Sequence, residues 1–288
     1  MRRVISRRLF LSLTLAFSLL TGSLFASAPT PIQYRDGMIW VKVTVAGRKA
    51  PLNFLLDSGA GASVIDIATA RSLGLQLRDR QSVLGVQGSG VAYRVDGFHA
   101  QAAEVAVGRS LLAVDLSGPS ADCHQHIDGL LGADFLRQHI VEINFAAQTL
   151  RLLQRNEVNS AGYEALPLAK RNDALCARVS VNGNAPEWLR LDTGCNTSLE
   201  WVVTGEKARS LGLGHTAAIS TTASVREIET SVQIGAVRIA AVKTGVHTEQ
   251  MFADESGLIG NGILSRFTVI IDAAGQRCLL AKRGAKGA

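Results

Sequence analysis

The feature that most constrains this chain is a duplication. Phe54-Leu55-Leu56-Asp57-Ser58-Gly59-Ala60 carries an apolar triplet straight into Asp-Ser-Gly, and Leu189-Arg190-Leu191-Asp192-Thr193-Gly194-Cys195 repeats the phrase 135 residues later. Each copy reads as a buried strand that delivers a carboxylate into a tight turn. Gly59 and Gly194 free the backbone there, and Ser58 and Thr193 add a short hydroxyl beside each acid. One Asp-Ser/Thr-Gly arises readily by chance. Two copies in the same apolar setting predict two carboxylates meeting at one site.

The residues between the copies repeat as well. Met38 to Ala46 and residues 52–57 predict a hairpin ending on Asp57, and Leu175 to Val181, the turn Asn182-Gly183-Asn184 and Leu189 to Asp192 predict its counterpart. Ile67 to Leu75 and Lys207 to Leu213 each predict a short helix. Asp128 to Leu136 and Ser256 to Leu264 share an apolar-apolar-Gly element, Leu130-Leu131-Gly132 and Leu258-Ile259-Gly260, read as a strand running into a helix. Ile140 to Phe145 with Thr149 to Leu153, and Val269 to Asp272 with Cys278 to Ala281, predict a closing hairpin for each half. Phe98 to Val107 and Ser110 to Leu116 predict further strands. A repeat of this length predicts two similar lobes, at 37–153 and 165–283, related by an approximate twofold axis.

Composition supports strands over long helices. Apolar runs are short, rich in Val, Ile and Leu, and punctuated by 28 glycines. The net charge of +6 is partly an N-terminal matter, since Arg2, Arg3, Arg7 and Arg8 supply four of the positive charges and residues 1–28 hold no acid. No basic stripe with interleaved aromatics appears, which excludes nucleic acid as the expected partner. Residues 1–28 read as an export signal: arginines, an apolar run from Leu9 to Ala26, then Ala26-Ser27-Ala28 as an A-x-A site. Ser6-Arg7-Arg8-Leu9-Phe10-Leu11 also matches the twin-arginine pattern S-R-R-x-F-L of bacterial export. The expected location is the periplasm or outside the cell, with membrane attachment only if the segment stays uncleaved.

Two carboxylates about 3 Å apart cannot both ionise. One then takes a proton from water while the other, protonated, donates to a carbonyl oxygen. That chemistry hydrolyses a peptide bond without cofactor or metal. Asp57 and Asp192 are the expected catalytic pair, with Ser58, Gly59, Thr193 and Gly194 supporting them. Val83 to Tyr93 predicts a hairpin whose glycine-rich tip, Gly85, Val86, Gln87, Gly88 and Ser89, would close over an extended peptide.

These motifs, Leu56-Asp57-Ser58-Gly59-Ala60, Leu191-Asp192-Thr193-Gly194 and the two apolar-apolar-Gly elements, resemble the retropepsin-like aspartic peptidases, with both halves fused in one polypeptide. The resemblance covers about residues 37–283. It implies an all-β fold of two acid-protease lobes with the active site between them. It implies an aspartic endopeptidase acting as a monomer on peptide or protein substrates, with Asp57 and Asp192 catalytic and the hairpin tip around Gly88 as flap. A second candidate flap, Ile219 to Val225, lacks a glycine tip. Ala60 and Cys195 stand where pepsin-like members carry a hydroxyl, which implies an active window closer to neutral pH.

Two other classes of function fit parts of the sequence. One is a non-catalytic peptide-binding module on the same scaffold. The other is a thiol-dependent enzyme using Cys195, which would need a nearby His base, and nothing around His215 or His247 singles either out. Cys123, Cys176, Cys195 and Cys278 allow three complete disulfide pairings. Asp122-Cys123-His124-Gln125-His126 matches no standard metal-ligand spacing and reads as a polar loop. Asp134 reads as a helix-cap or surface acid rather than a third catalytic carboxylate.

Overall fold

The computed structural model describes residues 28–85, 88–205 and 226–282. The features expected at residues 1–27, Val86 and Gln87, the helix at 207–213, the second candidate flap at 219–225 and His215 lie outside them.

The first lobe is one ten-stranded sheet. Its strands are β2 (Gln33–Arg35), β3 (Met38–Val45), β4 (Leu52–Leu56), β5 (Val64–Asp66), β6 (Arg78–Gly85), β7 (Gly88–Asp96), β8 (Ala100–Ala102), β9 (Val105–Ala106), β10 (Ser110–Val114) and β11 (Gly129–Leu131). The order is β6-β7-β10-β5-β11-β4-β3-β8-β9, with β2 on β3. Helix α1 (Ile67–Ser72) follows β5, its N-terminus capped by the Asp66 carboxylate accepting Thr69 N–H at 3.1 Å. Helix α2 (Ser117–Asp122) precedes β11, and α3 (Ala133–Gln138) follows it. The hairpin expected over 83–93 is β6–β7, with Gly85 opposite Gly88. The single strand expected from Phe98 to Val107 is instead the β8–β9 hairpin. Ala103 and Glu104 take φ of 47° and 66°, a left-handed pair that reverses the chain in two residues.

The second lobe repeats the plan with β15 (Ala174–Val181), β16 (Glu187–Leu191), β17 (Leu199–Val202), β18 (Arg226–Ile234), β19 (Val237–His247), β20 (Gly257–Ile259) and α4 (Asn261–Leu264). In both lobes the Asp-bearing strand pairs in parallel with the apolar-apolar-Gly strand, β4 with β11 and β16 with β20. The neighbouring parallel pairs, β5–β10 and β17–β19, also correspond. Here β18 returns to pair with β15, so the sheet closes on itself.

Between the lobes lies a six-stranded layer in the order β1-β13-β12-β21-β22-β14, from β1 (Thr30–Pro31), β13 (Thr149–Leu153), β12 (Ile140–Asn144), β21 (Phe267–Asp272), β22 (Arg277–Lys282) and β14 (Glu164–Arg171). The two closing hairpins form as expected, and they pair with each other through β12 and β21. Strand β14 serves both layers. Its first half pairs with β22 and its second half with β15, and the change falls at Pro167 and Leu168. Proline has no N–H to give a continuous ladder, which suits a strand that changes partners there. One core runs through all three layers, from Phe54, Leu56 and Leu131 through Val141, Ile143 and Ile271 to Leu191, Trp201 and Ile259. No helix among the described residues is long and apolar enough to cross a membrane.

Candidate active site

Each Asp-Ser/Thr-Gly loop is held by the element its lobe repeats. Asp57 N–H donates to Leu131 O and Asp192 N–H to Ile259 O, both at 2.9 Å. Ala133 N–H then donates to Ala60 O at 2.7 Å, and Asn261 N–H to Cys195 O at 2.8 Å. The glycine of the apolar-apolar-Gly element sits where this strand crosses the loop. A Cβ at Gly132 would collide with Ala62, and one at Gly260 with Thr197.

The two loops lock to each other through their hydroxyl residues. Ser58 N–H donates to Thr193 Oγ1 at 2.9 Å, and Thr193 N–H donates to Ser58 Oγ at 3.0 Å. Each hydroxyl then donates onward into the other lobe, Ser58 Oγ to Leu191 O at 2.6 Å and Thr193 Oγ1 to Leu56 O at 2.8 Å. Both residues are fully buried, so four polar groups find partners only because the lobes are docked.

This lock sets the carboxyls face to face, each over the other loop's glycine. A Cβ on Gly59 would lie 2.6 Å from both oxygens of Asp192, and one on Gly194 would lie 2.6 and 2.7 Å from those of Asp57. The two side chains share a hydrogen bond. Asp57 Oδ1 accepts the N–H groups of Gly59 and Ala60, each at 3.0 Å, whereas Asp192 Oδ1 accepts that of Gly194 at 2.9 Å. Burial raises the pKa of both groups. For Asp192 the rise is larger, because the Asp57 charge adds to burial and fewer backbone donors offset it. The pair therefore retains a proton that isolated aspartates would have lost.

The lobes also exchange their hairpin turns. The turn Asp36-Gly37 of the first lobe presents Gly37 O to Asn261 Nδ2 at 2.7 Å, and Asn261 also donates to Thr193 O at 2.8 Å. The turn Asn172-Asp173 of the second lobe presents Asp173 O to Arg137 Nη1 at 2.6 Å, beside Gly61.

Sequence reasoning missed Arg190. It interrupts an apolar strand two residues before Asp192, which was the available signal. Its side chain is buried, forms a double hydrogen bond with Glu255, and donates to Gly59 O at 2.9 Å. Glu255 lies 65 residues away in a polar loop, so sequence gave no hint of the pairing.

Other residues singled out in the sequence fall elsewhere. Asp134, in the first turn of α3, accepts Ser63 N–H at 2.8 Å, Ser63 O–H at 2.7 Å and Phe135 N–H at 2.8 Å. All four cysteines are free thiols. Burial, reinforced by the Asp192 charge, pushes the Cys195 thiol up to about 11, which leaves it protonated at neutral pH. His247, one base considered for that thiol, is held by Glu200 at 2.6 Å. His126 in the 122–126 loop contacts Thr69 Oγ1 at 3.1 Å and Asp128 at 3.4 Å. Among the described residues no group of three or more His, Cys, Asp or Glu side chains is placed to hold a metal ion. Gly85, Gly88 and Ser89 lie on β6 and β7 at the hairpin end.

Residues 41–135 match the family model described as aspartyl protease. Among solved structures, the chain is similar to the crystal structure of an aspartic proteinase from Irpex lacteus. The TM-score is 0.57 at 11% sequence identity, over 89% of this chain and 97% of that one. No curated protein matches the sequence. The first lobe thus carries the sequence pattern of the aspartyl proteases, and the whole chain has the two-lobed, retropepsin-like fold of the aspartic proteinases.

Proposed function

We propose that this chain is an aspartic endopeptidase that hydrolyses peptide bonds with water activated by Asp57 and Asp192. The observation that carries the reading is the reciprocal seating of the two carboxyls, each over the glycine of the other loop. Asp57, with two backbone donors, is the better-stabilised carboxylate, and Asp192 holds the shared proton. Asp57 takes a proton from water as its oxygen attacks the scissile carbonyl carbon. Asp192 donates its proton to the carbonyl oxygen, giving a neutral tetrahedral diol. Asp57 then passes its proton to the leaving nitrogen, the C–N bond breaks, and a diol proton returns to Asp192. Water is consumed, one acid and one amine form, and the pair regains its starting state.

The β6–β7 hairpin, with Gly85, Gly88 and Ser89 at its described end, would cover the bound peptide and exclude water. Both carboxyls come from one polypeptide, so a monomer suffices. Residues 1–28 direct export in this reading, and the substrate is a peptide or protein met in the periplasm or outside the cell.

The test is cleavage of a random peptide library by purified chain, with Asp57→Asn and Asp192→Asn as controls. Cleavage by wild type and loss in each variant, with circular dichroism unchanged, supports the reading. Retention of peptides without cleavage would favour a binding module instead.

A further inference from the structure

Arg190 and Leu55 occupy the same place in the two lobes. Arg190 lies opposite Leu258 and two residues before Asp192, as Leu55 lies opposite Leu130 and two residues before Asp57. The lobes fill that place differently. Leu55 packs in an apolar cluster with Met38, Trp40 and Ile127. Arg190, 4% exposed, directs Nε and Nη2 to the two oxygens of Glu255 at 2.8 and 2.7 Å. Its remaining nitrogen, Nη1, crosses to the first lobe and donates to Gly59 O at 2.9 Å. The guanidinium carbon lies 3.4 Å from the centre of the Phe252 ring, and Asn172 Nδ2 donates to Glu255 at 2.9 Å. A cation buried this way is costly unless it is paired and hydrogen-bonded, and here each of the three guanidinium nitrogens has an acceptor.

We propose that Arg190 is a positioning residue of the carboxyl pair: it clamps the Asp57 loop from the opposite lobe and presents a fixed positive charge to both carboxyls. The inference rests on reading Asp57 and Asp192 as the catalytic pair. Gly59, whose carbonyl Arg190 holds, is the residue over which Asp192 sits. The clamp therefore reaches both acids, one through its loop and the other through its seat. Attraction to Arg190 works against burial at both acids, lowering the pKa of each.

The other charged and titratable groups facing this cluster do not replace it. Glu255, on the segment before β20, is committed to Arg190. Cys176, opposite Arg190 on β15, is pushed up to about 12 by burial, and Cys195 to about 11, so both stay neutral across the working range. Arg171 on β14 acts on Cys176, and Glu200 on β17 acts on Cys195.

The test uses the full chain labelled with carbon-13 at aspartate carboxyls and titrated by NMR. It compares wild type, Arg190→Lys, and Arg190→Gln combined with Glu255→Gln, which leaves no unpaired buried charge. Losing the cation disfavours the ionised carboxyls, so both steps of the pair should rise in the double variant, by about 1 pH unit or more. Arg190→Lys, which keeps the charge, should stay close to wild type. If the double variant does not fold, Arg190→Leu with Glu255→Leu copies the aliphatic solution of the first lobe and should give the same rise. Titration steps unchanged from wild type in whichever neutral pair folds would overturn the proposal. Loss of Arg190 as a purely structural element would lower stability without moving these steps. Peptide cleavage is scored separately: a wild type that cleaves while the steps stay fixed sinks this inference alone, and a wild type that never cleaves while the steps move sinks the protease reading alone.

Discussion

Ser58 and Thr193 hold each other's backbone N–H groups, at 2.9 and 3.0 Å, and each donates its own hydroxyl hydrogen bond to a carbonyl of the opposite lobe. All four bonds run from one lobe to the other. The geometry of the carboxyl pair is therefore tied to lobe docking rather than to either lobe's own fold.

Thr193→Val keeps the shape and removes the hydroxyl. It strands the buried Ser58 N–H and the Leu56 carbonyl. The expected loss is roughly 2–6 kcal/mol, since each of the two buried unsatisfied groups costs about 1–3. Urea unfolding should show the midpoint falling with the slope unchanged. Thr193→Ser keeps the hydroxyl and should lose only about 1 kcal/mol, for one methyl group.

Gly59→Ala tests the seating directly. The backbone there is not left-handed, so space alone decides the outcome. The new methyl would occupy the position of the Asp192 carboxyl, 2.6 Å from both oxygens, and must push it away from Asp57. Turnover should fall about 100-fold or more, as a displacement near 1 Å costs in comparable sites. A variant that folds and keeps near-normal turnover would show that the carboxyls need not meet over this glycine.

The site was legible in the sequence where the duplication reached. The Asp loops, the hydroxyls beside them and the glycines of 130–132 and 258–260 all follow from residues that repeat with the same neighbours. The central layer was not. β12 alternates buried and less buried positions like the strand of a private hairpin, β21 is buried almost throughout, and nothing in Ile140–Asn144 names Phe267–Asp272 as its partner. The β18–β19 hairpin was hidden for a different reason. Its outer end, Arg226 to Glu229, is charged and mostly exposed, and only further along does the alternation of a buried face begin. Arg190 and Glu255 escaped because a buried ion pair joins two residues that look misplaced separately and fit only together.

Stability should depend on pH through the pair. Burial raises Asp57 and Asp192 above their ordinary 3.8, so the folded state holds a proton that the unfolded chain releases. Such groups favour folding below the unfolded value and lose that contribution as pH rises through the folded values. Compared with Asp57→Asn/Asp192→Asn, the wild type should be about equally stable near pH 3 and progressively less stable toward neutrality. Denaturation midpoints measured from pH 3 to 8 check this. A difference that does not grow with pH would mean the carboxyls are not held in a raised state.

The last prediction concerns activity. Two carboxyls sharing a proton give a bell-shaped profile whose upper limb marks loss of that proton. A hydroxyl donating to Asp57 would favour its charged form and release the proton at lower pH. Neither following residue supplies one: position 60 is alanine, and Cys195 carries a thiol, a weak donor, whose sulfur lies 3.1 Å from Thr197 Oγ1. Asp57 already accepts Ala60 N–H at 3.0 Å, so a serine side chain at 60 starts from beside the carboxylate. Ala60→Ser should therefore move the upper limb toward acid and leave the fold unchanged, while the wild type works closer to neutral pH than pepsin. The check is the pH dependence of kcat on one cleaved peptide, wild type against variant. An upper limb that stays in place would mean that burial and Arg190, rather than the missing hydroxyl, set how tightly the pair holds its proton.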